Sequence, residues 1–167
     1  YKNVFNRDPF WLAFLDRPGL IDLAEALLGA DCRIIGETAW CTHPGYRAEA
    51  LHCDYLPFEH PEALHAAGLR VPPFIVTAQF YLVDVDETLG ATRVVPGSHR
   101  AGRTPRADER DWRGRAPEAV PCDAGDALVF RSDLWHHGGD NGTTDRARYL
   151  LQVHYARREM APHFSPY

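Results

Sequence analysis

The spacing of hydrophobic and polar positions changes partway along the chain. After Asp8-Pro9, apolar residues fall at Phe10, Trp11, Phe14 and Leu15, a spacing that gathers them on one side of a short helix. Asp8 is placed to cap that helix, and Pro9 suits its first turn. Arg17-Pro18 restarts the chain into a second helix carrying Leu20, Ile21, Leu23, Ala24, Leu27 and Leu28, closed by Gly29. Beyond it, short β-branched and aromatic runs alternate with Gly, Pro, Asn and Asp. These runs predict strands over residues 32–42, 47–53, 74–85, 92–95, 119–122, 127–130 and 148–157. Residues 121–126 read as a hairpin-like turn ahead of the 127–130 strand. A helical start followed by many short, turn-punctuated strands predicts a mainly β domain with flanking N-terminal helices, folded as a sandwich or jelly roll.

Composition narrows the class. The 167 residues suffice for one domain with a substantial core, and 45% hydrophobic with 25% charged content is that of a globular chain. A net charge of −5 and a pI near 6.0 give no sign of a nucleic-acid surface. No apolar run approaches a membrane span and no leader is visible, so neither membrane nor nucleic acid is an expected partner. Cys32, Cys41, Cys53 and Cys122 lack Cys-x-x-Cys spacing, which argues against structural zinc and for reduced thiols in a cytoplasmic setting. The chain opens at Tyr1 without a methionine, and an N-terminal segment of the full-length protein is expected to precede it. A homo-oligomer is left open.

The chemistry concentrates in His52-Cys53-Asp54 and in His136, 84 positions beyond His52. In an extended segment alternate side chains share a face, so His52 and Asp54 can point inward while Cys53 points away. Two imidazoles and one carboxylate bind Fe(II) on one side and leave positions open for a co-substrate and oxygen. A surface or hydrogen-bonded core histidine is the plain alternative for His52, because His-x-Asp pairs also arise by chance.

Two further stretches accompany the motif: residues 90–99, which end in Pro96-Gly97-Ser98-His99, and residues 133–155, which run from Asp133 through His136 and Asn141 to Tyr155. With them the chain resembles the phytanoyl-CoA dioxygenase-like family of Fe(II)/2-oxoglutarate oxygenases, well over residues 46–157 and more loosely over 5–45. The resemblance sharpens the fold to a double-stranded β-helix, cupin-like. It implies Fe(II) held by His52, Asp54 and His136, with 2-oxoglutarate and O2 as co-substrates. His136 is preferred to its neighbour His137 because it lies five residues before Asn141, the family's interval. A downstream arginine is implied to grip the distal carboxylate of 2-oxoglutarate, its planar fork matching a carboxylate with two parallel hydrogen bonds. Arg148 is preferred to Arg146 because it shares a strand face with Leu150 and Gln152. Thr92 and Gln79 are candidates for the same subsite, and each reads equally as an ordinary strand residue.

With Asp54 intact, halogenation is disfavoured. The implied reaction converts 2-oxoglutarate to succinate and carbon dioxide while oxidising a small organic molecule, by default through hydroxylation, in the manner of secondary metabolism. Glu49 stands where several relatives carry glutamine, and Leu89-Gly90 where the family has Asn-Gly; His99 reads as structural. A cupin-type metal enzyme that uses no 2-oxoglutarate and a non-catalytic binding relative stay open as alternatives. Residues 56–73 and 102–117 are candidate substrate-contacting loops, the second either a solvated excursion or a lid carrying Trp112. Trp40, Tyr46, Tyr55 and Phe58 are candidates for a pocket mouth, and the tail 160–167 for covering it or for an oligomer contact.

Overall fold

The computed structural model describes residues 1–160. Among these, seven strands form two antiparallel sheets, with strands numbered in chain order. The larger sheet holds β1 (Arg33–Thr42), β7 (Arg148–Ala156), β2 (Ile75–Tyr81) and β5 (Ala127–Arg131), side by side in that order. The smaller holds β4 (Glu118–Val120), β3 (Thr92–Val94) and β6 (His136–Gly138).

The large sheet is two-sided in chemistry as well as geometry. On its outer face Val76, Ala78 and Phe80 of β2 join Leu151, Val153 and Tyr155 of β7. There α1 (Leu20–Leu28) lays Ala24 and Leu28 against them, with Val4 and Phe14 alongside. Burying such side chains is worth about 1.5–3 kcal/mol each, the largest favourable contribution to this layer. On the inner face β2 presents Thr77, Gln79 and Tyr81 and β7 presents Arg148, Gln152 and His154, all buried or half-buried. That polar inner face is the wall of the cavity described below.

Most predicted elements form, with differences that have local causes. Residues Pro9–Phe14 make a 3-10 turn rather than an α-helix, although Asp8 caps it as expected, accepting from the Phe10 N–H at 2.8 Å. The segment before Arg17-Pro18 is too short to propagate an α-helix. In α1 a narrower stripe is buried than the apolar run suggests, and Leu23 and Leu27 face outward. The expected strand over 47–53 does not form: only His52 pairs, with His136, through N–H···O bonds of 3.0 and 2.9 Å. Just before it the Asp140 carboxylate takes the Ala48 N–H at 2.6 Å, so a side chain replaces the ladder partner. Residues 121–126 are no hairpin either, because β4 and β5 lie in different sheets and the turn carries the chain between them.

Glu37 sits on the helix-covered side of β1, fully buried, and neither carboxylate oxygen has a hydrogen-bond partner among the described residues. Burial raises its pKa from 4.5 to about 7. The raised value means that the unfolded state ionises first as pH rises. Stability is therefore complete below pH 4.5 and falls until about pH 7, by about 3 kcal/mol at most. Glu37→Gln is expected to raise the melting temperature at pH 8 and to change it far less at pH 4.5, as read from thermal melts at both pH values.

Candidate metal centre

Three side chains converge at the junction of the two sheets. His136 opens β6, while His52 lies opposite it in the single bridged pair and carries Asp54 two residues on. One ligand atom from each lies within 4.8 Å of the others, the one such group among the described residues. Asp54 Oδ1 is 3.4 Å from His136 Nε2 and 3.9 Å from His52 Nε2. Both imidazoles are turned the same way by main-chain carbonyls. His52 Nδ1 lies 2.9 Å from the Ala50 oxygen and His136 Nδ1 2.8 Å from that of Leu134. A carbonyl only accepts, so each Nδ1 carries a proton and each Nε2 is the atom turned to the centre, able to give its lone pair to a metal once any proton there is lost.

The electrostatics match. Burial pushes the Asp54 carboxyl up, but the hydrogen bond from His136 and the charges of His136, His154 and His52 outweigh it and hold it at about 2. His136 is pulled down by burial and raised overall by Asp54. An anionic carboxylate facing two Nε2 atoms is a donor set suited to a divalent transition metal. Cys53 points elsewhere, its thiol donating to the Asp133 carbonyl at 3.4 Å.

The triad opens into a cavity of about 710 Å³ whose walls include Trp40, Thr42, Tyr46, Gln79, Thr92 and Arg148. Arg148, 5% exposed, is the only buried guanidinium and has no carboxylate partner among the described residues. It donates to the Gly90 carbonyl and, at 3.2 Å, to Thr42 Oγ1, while its Nε–H is buried without an acceptor. Burial depresses its pKa. Two glycines make room for it: a Cβ at Gly138 would lie 3.0 Å from Arg148 Nη2, and one at Gly90 3.0 Å from Nη1. Arg146 is outside the cavity, with its guanidinium on the Asp84 carbonyl at 3.1 Å. The connection from β6 to β7 is fixed by buried Asn141, whose amide donates to the Thr42 and Arg146 carbonyls at 3.1 and 2.8 Å.

Beside Arg148, a chain of side-chain hydrogen bonds runs inward from the rim. Trp40 Nε1 donates to Gln152 Oε1 (2.8 Å), and Gln152 Nε2 to Gln79 Oε1 (2.9 Å). Gln79 Nε2 then donates to Thr92 Oγ1 (2.7 Å), which also accepts from the Tyr81 hydroxyl (2.9 Å). With both lone pairs taken, Thr92 keeps its own O–H for another acceptor.

All six predicted site residues therefore border one cavity: His52, Asp54, His136, Arg148, Thr92 and Gln79. The sequence reading missed Thr42, Tyr81 and Gln152, whose signal was their place on the inner faces of β1, β2 and β7. Other expectations are corrected. Trp112 is no lid: it is 8% exposed and packs with Val95, Ala101 and Trp135. The charged 102–117 segment is largely exposed, as its solvated reading expects, with the Arg103–Glu109 pair at 2.6 Å within it. No residue of 56–73 borders the cavity, nor do Tyr55 and Phe58, whereas Trp40 and Tyr46 do. His137 is half-buried on the other side of β6 and does not border it. The tail beyond Met160 lies outside the described residues.

A two-sheet β fold thus carries, in one cavity, a two-histidine, one-carboxylate group that could hold a metal ion and a buried arginine. The chain belongs to the phytanoyl-CoA dioxygenase (PhyH) family, whose model matches residues 2–149. It is 34% identical over 162 residues to dioxygenase af480 of Aspergillus fumigatus, covering 95% of this chain and 47% of that protein. Similarity to dioxygenase FrzG of Cladobotryum is 31% over 122 residues, covering 71% of this chain and 39% of the relative. The chain thus spans about half or less of the length of these relatives. Its fold is that of the epimerase SnoN of nogalamycin biosynthesis, solved with Fe3+, alpha-ketoglutarate and nogalamycin RO. The TM-score there is 0.76 at 22% identity, over 99% of this chain and 66% of that one. Streptomyces hygroscopicus HygX, solved with nickel and 2-oxoglutarate, gives a TM-score of 0.74 at 18% identity over 97% and 70%. No helix among the described residues is long and apolar enough to cross a membrane.

Proposed function

We propose that this protein is an Fe(II)/2-oxoglutarate-dependent dioxygenase that oxidises a small organic molecule, with hydroxylation as its default outcome. In this reading the two sheets are the halves of one double-stranded β-helix oxygenase domain. The observation that carries it is Arg148: a buried guanidinium with no carboxylate of its own, bordering the same cavity as His52, Asp54 and His136. Leaving such a charge unpaired is costly, and an anionic ligand removes the cost. Membership of a dioxygenase family and the ligands named for SnoN and HygX point to 2-oxoglutarate as that anion.

His52, Asp54 and His136 would hold the iron, their three-ligand face leaving positions for co-substrate and oxygen. Bound iron with 2-oxoglutarate and O2 supplies the oxidising power that yields succinate, carbon dioxide and an oxidised substrate carbon. The chain's own residues bind and orient. Arg148 would take the distal carboxylate with parallel N–H donors, and Thr92 would add its unassigned O–H. Gln79 and Tyr81 hold Thr92 in place, and the carbonyls of Ala50 and Leu134 hold the imidazole rings. Similar folds include an epimerase and a carbocyclase, so the outcome depends on which substrate bond the pocket brings forward.

The test is substrate-independent: aerobic protein with Fe(II) and 2-oxoglutarate is expected to release succinate slowly, and a chelator to stop it. Bound iron with no succinate formed would favour a cupin-type enzyme that does not use 2-oxoglutarate.

The glycine cradle supplies a second expectation. Gly138→Ala places a methyl against Arg148 Nη2 and is expected to raise the 2-oxoglutarate concentration needed for half-maximal succinate formation about tenfold. Iron affinity, measured by anaerobic titration, should not change.

A further inference from the structure

The Asp54 carboxylate turns its Oδ1 to the imidazoles; its Oδ2 faces a separate polar cluster. Thr77 Oγ1 lies 3.5 Å from Asp54 Oδ2, 3.0 Å from Ser132 Oγ and 3.0 Å from His154 Nδ1. Three adjacent strands supply it. Thr77 is on β2, directly opposite His154 on β7, and Ser132 follows the end of β5. Thr77, Ser132 and His154 are 0%, 1% and 5% exposed.

The protons can be placed by counting. A hydroxyl has one proton and two lone pairs, and a carboxylate only accepts. If Thr77 gives its proton to Asp54, both closer neighbours must donate to Thr77: Ser132 through its hydroxyl and His154 through Nδ1–H. That assignment satisfies the Thr77 oxygen fully and delivers a donor to the carboxylate. Packing alone does not call for a hydroxyl here; valine has nearly the same shape and would cost nothing in desolvation.

We propose that Thr77, Ser132 and His154 form a positioning relay that aims the Asp54 carboxylate, holding Oδ1 toward the metal while Oδ2 is tied to the sheet. The proposal rests on the reading of His52, Asp54 and His136 as metal ligands. Partners of this kind keep a ligand oriented before the metal arrives, and losing one typically weakens metal binding by about 10–100-fold.

The experiment is anaerobic titration of the purified protein with Fe(II), followed by 2-oxoglutarate and a visible spectrum, with thermal melting as a control for folding. Thr77→Val is expected to weaken Fe(II) binding by about 10–100-fold and to shift the absorption maximum of the ternary complex. Thr77→Ser, which keeps the hydroxyl, is expected to bind within about threefold of the wild type. His154→Leu should behave like Thr77→Val. His154→Asn should recover most of the affinity, because its amide nitrogen can replace Nδ1 as the donor. The His154 pair also carries the test if Thr77→Val does not fold. Wild-type Fe(II) affinity in folded Thr77→Val, or in His154→Leu, overturns the relay while leaving the metal centre intact. Absence of Fe(II) binding by the wild-type protein itself overturns the metal-centre reading, and the relay with it.

Discussion

Asp54→Ala and His136→Ala are each expected to remove measurable Fe(II) binding and all 2-oxoglutarate turnover, whereas His137→Ala leaves both within about twofold. Losing an outer partner of a ligand already costs about 10–100-fold in affinity, so losing a ligand costs more. The fold should survive, because the His52–His136 bridge is made by main-chain atoms that alanine retains. Asp54→Ala also removes the only negative charge of the triad, leaving two imidazoles to face a dication unaided. His137 is the control that separates position from residue type. It is adjacent in sequence, but its Nδ1 donates to the Gly138 carbonyl at 2.9 Å and its side chain does not border the cavity. Anaerobic Fe(II) titration with a melting curve for each variant checks this. Loss of binding in His137→Ala with binding retained in His136→Ala would move the ligand by one residue.

Arg148→Ala is expected to raise the 2-oxoglutarate requirement by roughly 10²- to 4 × 10³-fold while Fe(II) affinity is retained. Breaking a buried ion pair by removing one partner costs roughly 3–5 kcal/mol, and each 1.4 kcal/mol is about tenfold. Arg148→Lys should recover only part of the loss: an ammonium restores the charge but not the planar fork, and glycines at 90 and 138 shape a space for a guanidinium. Arg146→Ala is expected to be silent because that side chain lies on the Asp84 carbonyl outside the cavity. Succinate formation against 2-oxoglutarate concentration reads all three variants. A normal requirement in Arg148→Ala would remove the arginine from the co-substrate subsite.

The parts of this architecture legible in the sequence were those carried by strong local signals. α1 announced itself by helical spacing closed at Gly29, and β2 by a β-branched and aromatic run. The triad was legible because His-x-Asp matches the two-residue period of extended chain, and His136 stood out through its neighbours. The segment before His52 misled for an instructive reason. Its alternation suits a strand, yet Asp140, 92 residues away from Ala48, captures the N–H that a strand partner would have taken. Long-range competition of that kind leaves no trace in a local pattern. Trp112 misled in the opposite direction, since an aromatic residue within a charged stretch looks free to move. Here Val95, Ala101 and Trp135 give it a core site, and the Arg103–Glu109 pair anchors the segment around it. The inner-face residues Thr42, Tyr81 and Gln152 escaped because polar strand positions usually face water, and only a sheet with a cavity behind it reverses that expectation.

The central claim is that the triad and Arg148 form one site for a ferrous ion and 2-oxoglutarate. Its most direct test adds Fe(II) and then 2-oxoglutarate to the protein without oxygen and records the visible spectrum. The account predicts a weak charge-transfer band near ~500 nm that needs both additions, is absent in Asp54→Ala, and in Arg148→Ala appears only at much higher 2-oxoglutarate. Iron bound at the triad with no such band at any 2-oxoglutarate concentration would contradict it.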